Sequence, residues 1–313
     1  MHRIGSNAVA WGLLIAAGIA APFLVYPVFA MKVLCFALFA CAFNLLIGYT
    51  GLLSFGHAAF LGSAGYVTGH TVKVLGFPPE LGILAGAATA AALGYVIGSL
   101  AIRRSGIYFA MITLALAQMV YFVALQVPFT GGEDGLQGVP RGMLFTVIDL
   151  REPLSMYYLV LSIFLFGFWV VYRTVHSPFG QVLTAIRENE PRAISLGYDV
   201  DKYKLAAFVL SAALSGLAGS TKSLVFQLAS LTDAHWHMSG EVVLMTLLGG
   251  MGTVFGPIIG AALVVSLQNY GADIGEWVTV ITGAIFVLCV LLFRRGIVGE
   301  LSALLRKVTS AAE

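Results

Sequence analysis

Apolar residues run along this chain in blocks of about 20, the length a helix needs to cross the hydrocarbon core of a bilayer. Blocks at 9–29, 31–49, 52–72, 80–101, 107–127, 156–173, 204–230 and 277–293 predict spanning helices. A further apolar stretch, 241–271, is interrupted by Gly249, Gly250 and Gly252. Its 31 residues are too many for one span and too few for two spans and a turn, at about 1.5 Å per residue. It predicts a broken or re-entrant pair of short helices. Such a pair persists at membrane depth only where protein or a water-filled path covers the freed backbone groups. A pathway element and a tight packing corner both fit it. The pattern as a whole predicts an all-α polytopic transmembrane bundle of about ten crossings, with 1–313 as a single domain. The first block is followed at once by a second, with no cleavage site leading into soluble sequence, so it predicts a retained helix.

Composition agrees. Hydrophobic residues make up 59% of the chain and charged residues 10%, whereas a soluble domain is about a quarter charged. Too few charges exist to cover a water-facing surface, so lipid must be the main solvent. The net charge of +2 says little, but the distribution orients the chain. With ten crossings, one side holds Arg3, Arg103, Arg104, Arg173, Arg187, Arg192, Lys202, Lys204, Arg294, Arg295, Arg306 and Lys307. The other holds Lys32, Lys73, Arg141, Arg151 and Lys222, with Glu133, Asp134, Asp149, Glu152, Asp233, Asp273 and Glu276. The richer side, with both termini, is expected to be cytoplasmic.

Small residues repeat every four positions at Gly65/Gly69, Ser211/Ser215/Gly219 and Gly252/Gly256/Gly260. Each set predicts a smooth helix stripe that lets another backbone approach. Cys35, Cys41 and Cys289 lie in apolar stretches and read as small core fillers.

Two polar loops are long enough to carry function. The outer loop, 128–154, contains Gly131, Gly132, Glu133 and Asp134 and predicts tight turns. The inner loop, 174–203, predicts a helix capped by Ser177 with Pro178 in its first position. Phe179, Val182, Leu183 and Ile186 form its apolar face. A second short segment with Ala193, Ile194 and Leu196 ends at Gly197. This amphipathic pair fits either a docking element or a helix lying in the interface plane.

No phosphate loop, metal cluster or catalytic constellation stands out. His235 and His237 lack a third ligand and read with Trp236 as part of an interfacial aromatic belt. Polar residues at membrane depth are few: Asn44, Ser54, His57, Thr113, Gln118, Lys222, Gln227, Glu241 and Gln268. Lys222 lies about 27 Å along its span from Lys204 and can snorkel outward. Glu241 follows Ser239-Gly240 and is expected in the first turn of a helix. For Asn44 and His57, a substrate-pathway role and a satisfied interhelical hydrogen bond stay equally open.

Five segments carry a resemblance: NLLIGYTGLLSFGHAAFL from Asn44, GIYFAMITLALAQ from Gly106, TGGEDGL from Thr130, SPFGQVLTAIREN from Ser177 and GEVVLMTLLGGMGTVFGPIIGA from Gly240. In this order they resemble the LivM-type permease of branched-chain amino acid ABC transporters. The resemblance implies a non-catalytic, multi-pass subunit of a bacterial inner-membrane importer, surrounded by lipid and not a nucleic-acid binder. Its implied partners are a second, LivH-type permease, two cytoplasmic ATPase subunits and a periplasmic substrate-binding protein. No cofactor is expected on this chain, with ATP and Mg on the ATPases.

The resemblance also makes 177–197 the coupling element, with Ser177, Phe179, Gly180, Ala185, Ile186, Arg187, Glu188, Asn189 and Gly197 matching or framing the family pattern. Gly131 to Asp134 become part of the binding-protein dock. Asn44, Ser54, His57, Thr113, Gln118, Glu241, Gly249 and Gly250 are the candidate pathway residues. The implied solute is a branched-chain amino acid. Subunits for urea, short amides and other amino acids share the resemblance. Lys222 departs from it, standing where a run of small residues is usual.

Overall fold

The computed structural model describes residues 2–145, 147–271, 277–292 and 296–300. The side chains of Arg3 and Cys289, and residues Asp273, Glu276, Arg294, Arg295, Arg306 and Lys307, lie outside that description. The helices are α1 (His2–Leu24), α2 (Pro27–Thr50), α3 (His57–Lys73), α4 (Pro79–Ala101), α5 (Ile107–Gln126) and α6 (Pro153–Val175). They continue as α7 (Pro178–Glu188), α8 (Glu190–Ser195), α9 (Val200–Phe226), α10 (Trp236–Gly249), α11 (Gly256–Gly271) and α12 (Trp277–Leu292). Helices α2, α4, α5, α6 and α9 are each long and apolar enough to cross a membrane.

Prolines set several starts. Pro27, Pro79, Pro153 and Pro178 each occupy a first helical turn, where a missing N–H costs nothing. This moves the first predicted boundary: α1 stops at Leu24, and Pro27 opens α2.

Helix α2 is the hub. Met31, Phe39, Phe43, Leu45 and Leu46 on it are fully buried, and it packs against α6, α9, α10 and α11. Helix α9 packs against α2, α3 and α4. The predicted stripe on α9 is used: Ser211 reaches α2 and α3, and a methyl at Gly219 would overlap the Leu61 carbonyl of α3. A second stripe beside it, Ala212, Gly216 and Ser220, meets Gly94, Ala90 and Gly86 of α4.

Three expectations change. The predicted span 52–72 starts later, at His57. Gly51 closes α2 in the left-handed conformation, with φ 75°, which glycine adopts without a Cβ penalty. Residues 51–56 then run irregularly, with Leu52, Ser54 and Gly56 buried. Ser54 Oγ accepts from the Gly56 N–H at 3.1 Å, and the Phe55 N–H donates to Thr113 Oγ1 at 3.2 Å.

The second change concerns the glycine stripe on 252–260. Gly252 has φ 73° and belongs to the turn between α10 and α11. Only Gly256 and Gly260 lie on α11, where they let it close on Gly249 and Met245 of α10. The third is Glu241. Helix α10 begins at Trp236, capped by His235, so Glu241 stands in the second turn. Its Oε1 lies 3.4 Å from His237 Nδ1.

The loop between α5 and α6 is tight-turned, as its glycines predict: Gly131, Gly132 and Gly135 all have positive φ. It also contains short ribbons that periodicity does not reveal. Strand β1 (Leu136–Gln137) pairs antiparallel with β4 (Leu228–Ala229), and β2 (Met143–Leu144) pairs with β3 (Ile148–Asp149). The loop is thereby tied to the chain just after α9.

Candidate functional site

The α7–α8 element is built as its residues predict and then locked onto the bundle. Ser177 Oγ accepts from the Gly180 N–H at 3.3 Å and caps α7. Gly180 sits so close to the Thr174 and Val175 carbonyls that no side chain fits. Leu183 and Ile186 are buried, and Phe179 stacks on Tyr203 of α9 at 5.5 Å. Asn189 ends α7 and caps α8, its Oδ1 accepting from the Arg192 N–H at 3.1 Å. Glu190 pairs with Lys204 of α9 at 2.7 Å. Gly197, with φ 87°, ends the segment. Asp199 then caps α9 and pairs with Lys202 at 2.7 Å. The hydrogen bonds from Lys202 hold the Asp199 carboxyl below its usual range.

Beyond these anchors the element faces outward. Ala185, Glu188, Asn189, Pro191 and Arg192 are exposed, as are the apolar Ile194 and Leu196, at 58% and 69%.

Arg187 joins this element to the interior. Its guanidinium donates to the Gly48 carbonyl in the last turn of α2. A cation there is favoured by the negative end of the helix dipole, and the hydrogen bond is charge-assisted. The last two turns of α2 also hold the α10–α11 connection. Asn44 Nδ2 donates to the Thr253 carbonyl at 2.8 Å, and its Oδ1 accepts from the Gly252 N–H at 3.0 Å. The Tyr49 hydroxyl donates to the Gly252 carbonyl at 3.0 Å. One joint therefore connects α7, α2 and the α10–α11 turn. Gly48 can occupy it because a Cβ there would press on the Gly252 nitrogen, 2.8 Å away.

A second polar row lies deeper. His57 is fully buried, with Nε2 2.8 Å from Ser211 Oγ. The Ser211 hydroxyl donates its one proton to the Ala42 carbonyl at 2.6 Å. The Nε2 of His57 must therefore carry the proton it shares with Ser211. The rings of Phe43, Phe60 and Phe208 surround the imidazole at 4.9, 5.6 and 6.1 Å. Next to it, the Ala58 N–H donates to Ser239 Oγ of α10 at 2.9 Å.

The structure thus brings Asn44 together with the turn flanked by Gly249 and Gly250, and groups Ser54, His57 and Thr113 around the start of α3. Gln118 lies apart on α5, half-buried, and Glu241 apart on α10. Glu133 and Asp134 are exposed in the outer loop, with Gly131 and Gly132 setting its turns. Gly48, Tyr49, Gly252 and Thr253 also belong to the joint. Gly249, Gly250 and Gly252 mark the turn in the sequence, whereas nothing local marks Gly48, Tyr49 or Thr253 as its partners.

A family model described as branched-chain amino acid transport system, permease component, matches residues 27–291. The chain belongs to this permease family. Among its relatives is the high-affinity branched-chain amino acid transport system permease protein LivM of Salmonella typhimurium. That protein is 27% identical over 312 residues, which cover 90% of this chain and 70% of the relative. The LivM of Escherichia coli matches with the same identity and coverage. A probable branched-chain amino acid transport permease protein LivM of Methanocaldococcus jannaschii is 26% identical over 211 residues, covering 64% of this chain and 60% of that one. No solved structure matches the chain. The permease is a multi-pass membrane protein, and its relatives are transport components.

Proposed function

We propose that this permease is one of two membrane subunits of an ATP-driven importer in a bacterial plasma membrane, carrying branched-chain amino acids inward by alternating access. The observation that carries the reading is the α7–α8 element. It presents a face that none of the described residues covers, yet is fastened through Arg187 to the end of α2 and to the α10–α11 turn. A piece shaped this way can receive the movement of another subunit and pass it to the bundle.

In this reading α7–α8 is cytoplasmic and docks on one of two ATPase subunits, which hold ATP and Mg. Both termini share that side, and ten helices cross the membrane, α3, α10 and α11 being short. The second permease is LivH-type. A periplasmic binding protein delivers the solute near Glu133 and Asp134. The basic residues support the orientation: Arg103, Arg104, Arg173, Arg187, Arg192, Lys202 and Lys204 fall on the α7–α8 side of the helix order. The relatives' names support the solute.

Reconstitution of the permease with these partners tests the reading. ATP hydrolysis and uptake are expected to rise when the binding protein carries leucine, isoleucine or valine. Absence of stimulation by any amino acid rejects the solute class. Uptake driven by an ion gradient in vesicles without the ATPases rejects the ABC role.

A further inference from the structure

At the end of the bundle away from α7–α8, a cavity of about 310 Å³ opens between the start of α2, the end of α9 and the chain that follows it. That volume is at the small end of the range for small-molecule sites. Its walls include Lys32, Lys222, Asp233, Thr232, Phe226 and Leu228. Lys222 does not snorkel freely. Its ammonium pairs with Asp233, stands 5.2 Å from the centre of the Phe36 ring, and the two paired side chains are only 14% and 13% exposed. Lys222 and Asp233 therefore cancel.

Lys32 is left over. It is half-buried and, among the described residues, its ammonium has no hydrogen bond or ion pair. It lines the same cavity as the Lys222–Asp233 pair, and Glu241 is the next carboxylate in its neighbourhood. Glu241 is itself engaged with His237. With Lys222 held by Asp233 and Glu241 beside His237, no carboxylate of the described residues lies against the Lys32 ammonium, a position that a ligand carboxylate would fill.

We infer that this cavity is an entry subsite for a zwitterionic amino acid, Lys32 taking its α-carboxylate and the second oxygen of Asp233 its α-ammonium. Phe226 and Leu228 then supply an apolar wall for an aliphatic side chain. The inference rests on the proposed importer role and narrows it: urea and simple amides carry no carboxylate and would leave Lys32 uncompensated. The site lies on the face where, in that reading, the binding protein releases its load. An anionic lipid headgroup offers similar charge chemistry, and the test separates it from the solute.

The test uses the complete importer in liposomes of purely zwitterionic lipid and, in parallel, of lipid containing an anionic fraction. Maximal leucine uptake is measured at saturating leucine-loaded binding protein. In both lipids Lys32→Gln is expected to lower it about tenfold, the scale of one lost charge-assisted hydrogen bond, while Lys32→Arg retains most of it. Wild-type uptake matched by Lys32→Gln overturns this inference alone, as do equal losses in the Gln and Arg variants. A defect confined to anionic-lipid vesicles also overturns it and assigns the charge to a headgroup. No leucine uptake by the wild type overturns the solute reading and this inference with it.

Discussion

Helix α9 carries a lysine near each end, and the two ends of the bundle treat them differently. Lys204 is 5% exposed and closed by Glu190, which ties α8 to the bundle. Around it the polar groups are used up inside the chain: Arg187 on Gly48, Asn44 on Gly252 and Thr253, Tyr49 on Gly252. Lys222 is also paired, but in a cavity it shares with Lys32, which has no ion-pair partner among the described residues. A closed end suits transmission of movement, because Arg187 hydrogen-bonds α7 to the last turn of α2. An open end with surplus charge suits a passing ligand. The contrast separates residues that hold the permease together from residues free to act on something else.

Substitutions that break the buried contacts of the closed end are expected to cost stability, whereas replacing Lys32 at the open end is not. The largest effect belongs to Asn44→Ala. It leaves the Gly252 N–H and the Thr253 carbonyl without partners, a loss of about 2–4 kcal/mol, read as a lower thermal midpoint in detergent. An unchanged midpoint would mean the turn is not held by this residue. Glu190→Gln follows. It strands a buried lysine, and because Glu190 itself is 38% exposed the expected loss is reduced to about 1–3 kcal/mol. Faster proteolysis between 177 and 198 would accompany it.

Lys32→Gln is expected to leave the midpoint within about 0.5 kcal/mol of the wild type, since it removes no pair among the described residues. A large loss there would close the open end and erase the comparison. The smallest effect is at the exposed pair Asp199–Lys202. The Asp199 carboxyl is held low when folded, so its contribution is present above the ordinary Asp range and disappears as pH falls through the folded value. Comparing Lys202→Ala with wild type at neutral and acid pH should show a slight difference that vanishes on acidification.

Much of this architecture can be read from residue order. Block length places the long helices, proline marks their starts, and Ser177-Pro178 locates α7 to the residue. Other features escape local patterns for physical reasons. An apolar run does not reveal that Gly51 turns left-handed, so the start of α3 was placed early. Gly252 keeps four-residue spacing with Gly256 yet sits in a turn. Ser239-Gly240 looks like a helix start, but the cap is His235. The joint is the hardest part to foresee. Asn44 and Gly252 are separated by 208 positions, and only the packing of α10 and α11 against α2 brings them together. Lys222 stood out as a departure from family habit, but its partner Asp233 and its neighbour Lys32 emerge only in three dimensions.

In the proposed importer, Arg187 passes motion from α7 to α2 and the α10–α11 turn. The most direct measurement is leucine taken up per ATP hydrolysed by the reconstituted importer carrying Arg187→Ala. The expected result is a complex that assembles and hydrolyses ATP while uptake per ATP falls about tenfold, within the range of ordinary coupling energies. An intact complex with the wild-type ratio would contradict it.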